Sequence, residues 1–300
     1  MRLISNNEIT SLGITPLECV EWIRESFSIK SGAQLPPKSS VHPKGIDFYT
    51  SMPCLLPAPY DCYGVKVVSR INGRKPALKS DLLLYKASTG DLLSFMEADW
   101  ITQMRTGAVA ALAITTLQKK EATNYSFIGL GSTADATIAC LQSILPNDKQ
   151  YTIRLKRYKD HTDKFASKWA KSNYTFVVAD TNEELLVDCD VLVSAVTEMP
   201  ELFCADDTKF PEGILLVPIH TRGFQNCDLF FDHVFADDTK HVAGFRNFAQ
   251  FKAFSELSEV LKGTMPGRLN EQQRILAYNV GLGLHDVLFA SKIYKIINEG

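Results

Sequence analysis

Residues Ser126 to Gln142 read SFIGLGSTADATIACLQ. The apolar opening suits a buried strand, Gly129 and Gly131 suit a tight turn, and the residues from Ser132 suit a helix. Gly129, Gly131 and Ala134 match the pattern G-x-G-x-x-G/A. In that pattern the first glycine permits the turn and the second removes a side chain where a pyrophosphate approaches. The third small residue lets the helix pack closely on the strand. The helix beyond offers unsatisfied N–H groups and the positive end of its dipole to an anion. A lone match also occurs in any tight turn between a strand and a helix. Here a strand precedes it, a helix follows, and a second strand, "YTIRLK", comes next. The stretch therefore predicts a dinucleotide site, with Gly129, Gly131, Ser132, Thr133 and Ala134 at the phosphates.

The same alternation continues downstream. After "YTIRLK" come a helix over Asp160–Ser172 and the β-rich runs "YTFVVA", "DVLVSAV", "GILLVPI" and "LFFDHVF". Strands alternating with helices imply a parallel sheet covered on both faces, a Rossmann-type domain over residues 119–267. Upstream the character differs. An amphipathic helix (Pro16 to Ser31) and a proline-rich turn (Leu35 to Lys38) precede strands such as "YGVKVVSRI". "LKSDLLLYKASTGDLLSFME" reads as a hairpin around Thr89-Gly90, and "DWITQMRTGAVAALAITTLQ" as a buried helix whose small residues admit a close neighbour. The final "NEQQRILAYNVGLGLHDVLFASKIYKII" has a long helical pattern and is expected to return to the first domain. The fold class is thus α/β, with a Rossmann-type domain and a discontinuous α+β domain of residues 1–118 and 268–300.

Composition narrows the function classes. The 300 residues are 45% hydrophobic and 22% charged, with a net charge of −2. That balance points to neither a nucleic acid nor an anionic membrane as partner. The start, MRLISNNEIT, lacks the apolar core of a secretory signal, and no apolar run reaches the roughly 20 residues of a membrane span. The seven cysteines, Cys19, Cys54, Cys62, Cys140, Cys189, Cys204 and Cys227, are scattered and form no C-x-x-C pair. The expectation is free thiols in a reducing cytoplasm.

The residues after the second strand address the choice of cofactor. An NAD site usually places an acid about 20 residues beyond the glycine turn, on the ribose 2′-hydroxyl. This chain has "TIRLKRYKD" there, and its first acid is Asp160. Lys156 and Arg157, with Arg154 nearby, suit a 2′-phosphate, so NADP(H) is expected, with NAD(H) the alternative. A solvated basic turn is the other reading of these cations. The expected cofactor contacts also include Ser194, Val196 and Val280.

Several segments together resemble the ornithine cyclodeaminase/μ-crystallin family: "GVKVV" (Gly64–Val68), "RTGAVAALA" (Arg105–Ala113), "FIGLGSTA", "RYKDHTDKFA" (Arg157–Ala166) and "YNVGLGLHD". The resemblance covers nearly the whole chain, and "RTGA" with "GVKVV" is its more specific part. It implies a homodimer, a substrate-binding and dimerisation domain built from both chain ends, a nicotinamide cofactor, and a small amino- or imino-acid substrate. Carried over by position, it implies that Lys66 and Arg105 grip the substrate carboxylate. A third cation, an arginine in the family, is Lys38 here, a point charge in place of a bidentate fork. Where cyclodeaminases carry an aspartate and, four residues on, a lysine, this chain has His220 and Phe224. A neutral imidazole supplies no fixed negative charge, though it exchanges protons near neutrality. Lys66 and His220 are therefore the expected catalytic residues, with Arg222 a further substrate cation.

The run "CDLFFDHVFADDTKH" collects Asp228, Asp232, His233, Asp237, Asp238 and His241, yet has no helical H-x-x-x-H and no paired cysteines, so no metal is expected. There is no G-x-S-x-G elbow. "FRNFAQFKAF" (Phe245–Phe254) has near-helical aromatic spacing that suits core or dimer packing. The expectation is an NAD(P)-dependent oxidoreductase acting on a C–N bond. Its alternatives are an ornithine cyclodeaminase forming proline and ammonia, and a non-catalytic NADPH-binding protein.

Overall fold

The computed structural model describes residues 1–197 and 199–299; Glu198 and Gly300 lie outside the described residues. The chain divides into two compact units, Met1–Arg105 with Gly281–Gly300, and Thr106–Val280.

The first unit opens with β1 (Arg2–Ile4), α1 (Asn6–Ser11) and α2 (Pro16–Ile29), followed by β2 (Ser39–Val41), β3 (Phe48–Leu55), β4 (Cys62–Arg70), β5 (Leu78–Lys86) and β6 (Leu92–Glu97). α2 begins on a capping box between Thr15 and Glu18 with Pro16 at its first position, so two orphan N–H groups find acceptors. The expected hairpin is β5–β6, and Gly90 in its turn has φ +76°. Among the described residues the strands form one sheet in the order β1-β6-β5-β4-β3-β2, antiparallel except for the β1–β6 pair. Side chains alternate between its faces. Pro53, Val65, Leu83 and Phe95 form one half-buried row across the sheet; Met52, Lys66, Leu82 and Met96 form the next, fully buried, on the other face. The helix α3 (Asp99–Leu117) follows, and the division at Arg105/Thr106 falls within it.

The second unit runs β7 (Asn124–Ile128), α4 (Ser132–Ile144), β8 (Tyr151–Lys156), α5 (His161–Lys168), β9 (Tyr174–Ala179), β10 (Val191–Ser194), β11 (Leu215–Pro218), α6 (Cys227–Phe230), β12 (His233–Ala236), α7 (Thr239–Val242), β13 (Phe254–Glu256), α8 (Leu257–Leu261) and β14 (Ile275–Tyr278). Its strands pair in parallel in the order β13-β12-β14-β11-β10-β7-β8-β9. From β7 the chain moves outward to β8 and β9, then returns to place β10 on the other side of β7. That reversal is the switch point at which such sheets bind ligands, and the glycine turn leaves β7 there. Gly107 of α3 lies against α4: a Cβ on it would come within 2.4 Å of the carbonyl carbon of Ala136. The close approach expected of the small residues in "RTGAVAALA" is therefore real.

The last segment is not one helix. β14 enters the parallel sheet between β11 and β12, and only then does α9 (Gly283–Glu299) return to the first unit. A strand flanked on both sides reads as a continuous apolar run, and "ILAY" fits a buried helix equally well by pattern. The units accordingly divide at 105/106 and 280/281, and not at 118/119 and 267/268. α5 stops at Lys168, short of Ser172; Trp169 is held by a 2.6 Å hydrogen bond from its Nε1 to Asp135 Oδ1. "LFFDHVF" is the end of α6 and the start of β12. The near-helical aromatic run is mostly irregular, and Phe245, Phe248, Phe251 and Phe254 pack on the core of the second unit. No helix among the described residues is long and apolar enough to cross a membrane.

Candidate active site

In the first unit Lys66 is the charged member of a buried apolar row, and its side chain is fully out of solvent. Its Nζ donates to Oδ1 of Asp286 at 2.8 Å. The Nε of Arg105 donates to the same oxygen at 2.9 Å. Two cations thus share one acceptor atom, supplied by the first turns of α9. The glycines explain how α9 comes so close. A Cβ on Gly283 would lie 2.9 Å from the Met52 carbonyl oxygen, and one on Gly64 would lie 2.9 Å from the side chain of Val287. Gly281, at φ +85°, lies against Arg105: a Cβ there would be 2.5 Å from Nη1.

Burial brings the Lys66 ammonium down to about 7, with the Arg105 charge acting in the same direction and Asp286 opposing both. Lys38, just ahead of β2, adds a weaker downward pull, so both other cations expected to hold a carboxylate act on Lys66. Removing one partner from a buried pair of this kind costs about 3–5 kcal/mol. Cys54 is pushed up to about 12, first by burial and then by the Asp286 charge.

Neither Asp286 nor its neighbour His285 stands out in the sequence. They close the segment "YNVGLGLHD", where the resemblance assigns them no role, and show only as a polar pair in an otherwise apolar stretch. His285 is fully buried, and Ser26 Oγ lies 2.6 Å from its Nδ1. The Ser26 hydroxyl donates to the Ile23 carbonyl at 2.7 Å, so it must accept from Nδ1–H. Burial, then the charges of Arg105, Lys30 and Lys66, hold His285 well below its usual range. Its Nε2 is therefore an unprotonated acceptor, and it has no donor among the described residues.

In the second unit Gly129 has φ +84°, and a Cβ on it would lie 2.6 Å from the backbone of Ala195 and Val196. Glycine is required there on both counts. Gly131 is the N-cap of α4, makes no side-chain cap, and faces open space where its Cβ would be. Ala134 is fully buried. The turn thus leaves room and backbone donors for a pyrophosphate, which is the fit a dinucleotide needs. Ala195 N donates to the Ile128 carbonyl at 2.8 Å, so Gly129, Ser194 and Val196 gather at the ends of β7 and β10. Val280 packs at the margin of this unit's core, two residues after β14.

His220 lies just beyond β11, and its Nε2 is 2.6 Å from Ser194 Oγ. Burial depresses it to about 4, which favours the neutral imidazole at pH 7. Arg222, two residues on, is exposed. Lys156 donates to the Asp180 carbonyl, and Arg157 pairs with the Asp180 carboxylate at the end of β9. The basic turn therefore carries an acid that its own sequence neighbourhood does not show.

The acidic and histidine-bearing run has structural partners. Asp228 accepts from Tyr278 Oη at 2.8 Å and from Asn247 Nδ2 at 3.3 Å, and burial raises it to about 6. Asp238 caps α7, His233 Nε2 is 3.1 Å from Ser255 Oγ, and Asp232 accepts from Arg274 N. No group of three His, Cys, Asp or Glu among the described residues is placed to hold a metal ion, and none of the cysteines forms a disulfide.

Comparison with known proteins follows the same lines. The profile of the ornithine cyclodeaminase/mu-crystallin family matches residues 3–300. The nodulation efficiency protein NfeD of Rhizobium meliloti is 24% identical over 277 residues, 88% of this chain and 84% of that protein. The alanine dehydrogenase of Archaeoglobus fulgidus is 25% identical over 98% of this chain and 94% of its own. Among solved structures, the Δ1-pyrroline-2-carboxylate reductase of Thermococcus litoralis, in complex with NADH and L-proline, superposes with a TM-score of 0.86 at 22% identity. It covers all of this chain and 98% of that one, a likeness of fold.

Proposed function

Because this chain belongs to the ornithine cyclodeaminase/mu-crystallin family, we propose that it is an NAD(P)(H)-dependent oxidoreductase acting on the C–N bond of a small amino or imino acid. The observation that carries this reading is the buried Lys66 that shares Asp286 with Arg105. Arg105, Lys66 and Lys38 hold the substrate carboxylate. Lys66 Nζ, brought close to neutrality by burial, gives its proton to the substrate nitrogen as the imine becomes an amine, and recovers it from water. The reduced nicotinamide, when bound, supplies the hydride. Gly129, Gly131 and the first turn of α4 hold its pyrophosphate, with Ser132, Thr133, Ser194, Val196 and Val280 around it. Lys156 and Arg157 turn from Asp180 to a 2′-phosphate, which makes NADP(H) the preferred cofactor.

His220 stays neutral beside Ser194, so it contacts the nicotinamide side of the site and leaves proton transfer to Lys66. The same neutrality argues against ornithine cyclisation, which needs a fixed negative charge at that position. The half-buried row Pro53–Val65–Leu83–Phe95 supports a homodimer in which a second copy covers that face of the sheet.

The test is oxidation of NADPH and NADH, followed at the nicotinamide absorbance, with cyclic imines and with 2-keto acids plus amines. Turnover of at least one is expected. Tight NADPH binding without any turnover would overturn the reading in favour of a non-catalytic binder. Ammonia release from ornithine without net cofactor reduction would overturn it in favour of a cyclodeaminase.

A further inference from the structure

We propose that Asp286 is the positioning residue of this site: its Oδ1 draws the tips of Lys66 and Arg105 together and supplies the negative charge that lets two cations stay buried side by side. The activity arm of this inference rests on the oxidoreductase reading; the geometry does not.

Three observations carry it. Lys66 Nζ and Arg105 Nε reach the same oxygen, at 2.8 and 2.9 Å, from residues 220 and 181 positions away in sequence. Asp286 and Lys66 are fully buried and Arg105 is nearly so, which leaves the carboxylate as the charge that compensates both cations. The backbone is shaped to deliver it: Gly283 and Gly64 let α9 lie directly on β3 and β4, and Gly281 makes room for the Arg105 guanidinium. The charged groups acting on Lys66 are Arg105 from α3, Asp286 from α9 and Lys38 ahead of β2; His285 of α9, which itself feels the Lys66 charge, stays neutral. Asp286 is the acid among them. Its charge works against burial, Arg105 and Lys38, and holds the Lys66 proton affinity up to where Lys66 can give and take a proton near neutral pH.

The second carboxylate oxygen makes the test clean. Asp286 Oδ2 is buried and has no hydrogen-bond partner among the described residues. An Asp286→Asn substitution can therefore keep its oxygen at the Oδ1 position and place its amide nitrogen where no bond is lost. It removes the charge and little else.

The experiment is a titration of 13Cε-lysine-labelled protein by NMR, with the Lys66 resonance identified by its loss in Lys66→Met. In Asp286→Asn the Lys66 midpoint is expected to fall by at least about one pH unit, a tenfold loss of proton affinity. The basic limb of the pH–rate profile is expected to move down by the same amount, with a rise in KM as the carboxylate clamp loosens. An unmoved midpoint overturns the proposal. The titration needs no turnover, so the two readings fail separately. A moved midpoint in an enzyme that reduces no imine sinks the function and keeps Asp286; turnover with an unmoved midpoint does the reverse. Should Asp286→Asn be too unstable to titrate, the double variant Asp286→Asn/Lys66→Met is melted beside it. A higher melting temperature for the double variant supports charge balance of Lys66 by Asp286. An equal or lower one overturns it.

Discussion

Ser194 Oγ and His220 Nε2 lie 2.6 Å apart at the C-terminal edge of the parallel sheet, where β10 and β11 run side by side. The contact ties a residue at the proposed cofactor site to an imidazole that burial keeps neutral. A histidine depressed from 6.5 to about 4 leaves the folded state with fewer bound protons than the unfolded state between those values. Stability therefore rises with pH across the window from about 4 to 6.5 and falls as acid is added. His220→Gln is expected to flatten that dependence, as read from urea denaturation midpoints at a series of pH values. Wild-type imine reduction is expected to show no limb near 6.5 attributable to His220.

Lys66 titrates above His220, near neutral pH. Its folded-state value of about 7 lies below the ordinary 10.5, so the unfolded chain binds more protons between the two. Stability gains with rising pH through that window, while the activity that needs a protonated Lys66 falls as pH passes about 7. Lys66→Met is expected to abolish turnover, by a factor of roughly a hundred or more as for loss of a general acid. It is also expected to remove the stabilisation seen between pH 7 and 10 in denaturation curves.

The two glycines of the nucleotide turn are expected to fail differently. Gly129→Ala meets the Ala195–Val196 backbone at 2.6 Å from a left-handed conformation, so it should destabilise the fold by about 1–3 kcal/mol or more. Gly131→Ala has open space and an ordinary φ of −95°, so its melting temperature should stay near wild type. Its added methyl group stands where the phosphates approach, and NADPH binding should weaken by at least about tenfold, some 1.4 kcal/mol. Thermal melts and nicotinamide fluorescence titrations separate the two.

Asp180 takes Lys156 on its backbone carbonyl and Arg157 on its carboxylate. Asp180→Asn should release Arg157 and tighten NADPH binding several-fold with little change for NADH. Arg157→Ala should do the opposite for NADPH. Equal effects on both cofactors, measured as dissociation constants, would remove the 2′-phosphate assignment.

Gly107→Ala replaces a helical glycine, a change worth about 1 kcal/mol in propensity at an open site. Here the new Cβ would press within 2.4 Å of Ala136 backbone in α4, and overpacking of about 1–3 kcal/mol is expected to win. A lower denaturation midpoint with an unchanged slope is the expected result.

Local chemistry made much of this readable beforehand. The glycine turn, the β5–β6 hairpin and the small-residue face of α3 each announce themselves through residues adjacent in sequence. β14 did not, because a four-residue buried strand carries no periodicity of its own, and the helix after it lent it a helical look. The site divides the same way. Lys66 and Arg105 are candidates that the resemblance supplies, whereas Asp286 meets them across 220 and 181 residues and no local pattern encodes that meeting. Asp180 was hidden likewise, since it reaches the basic turn from the neighbouring strand. The protonation of His220 depends on burial that a single sequence does not display.

The place of β14 in the parallel sheet has a bearing on synthesis. β11 and β12 never pair with each other; each waits for residues 275–278 to fill the gap between them. A nascent chain that has emerged only as far as β13 carries two open strand edges inside what will become its core, and such edges invite pairing with other chains. The ribosome thus holds back the keystone of the parallel sheet until residues 275–278 emerge, and premature termination before Ile275 should yield insoluble product even though most of that sheet is already present.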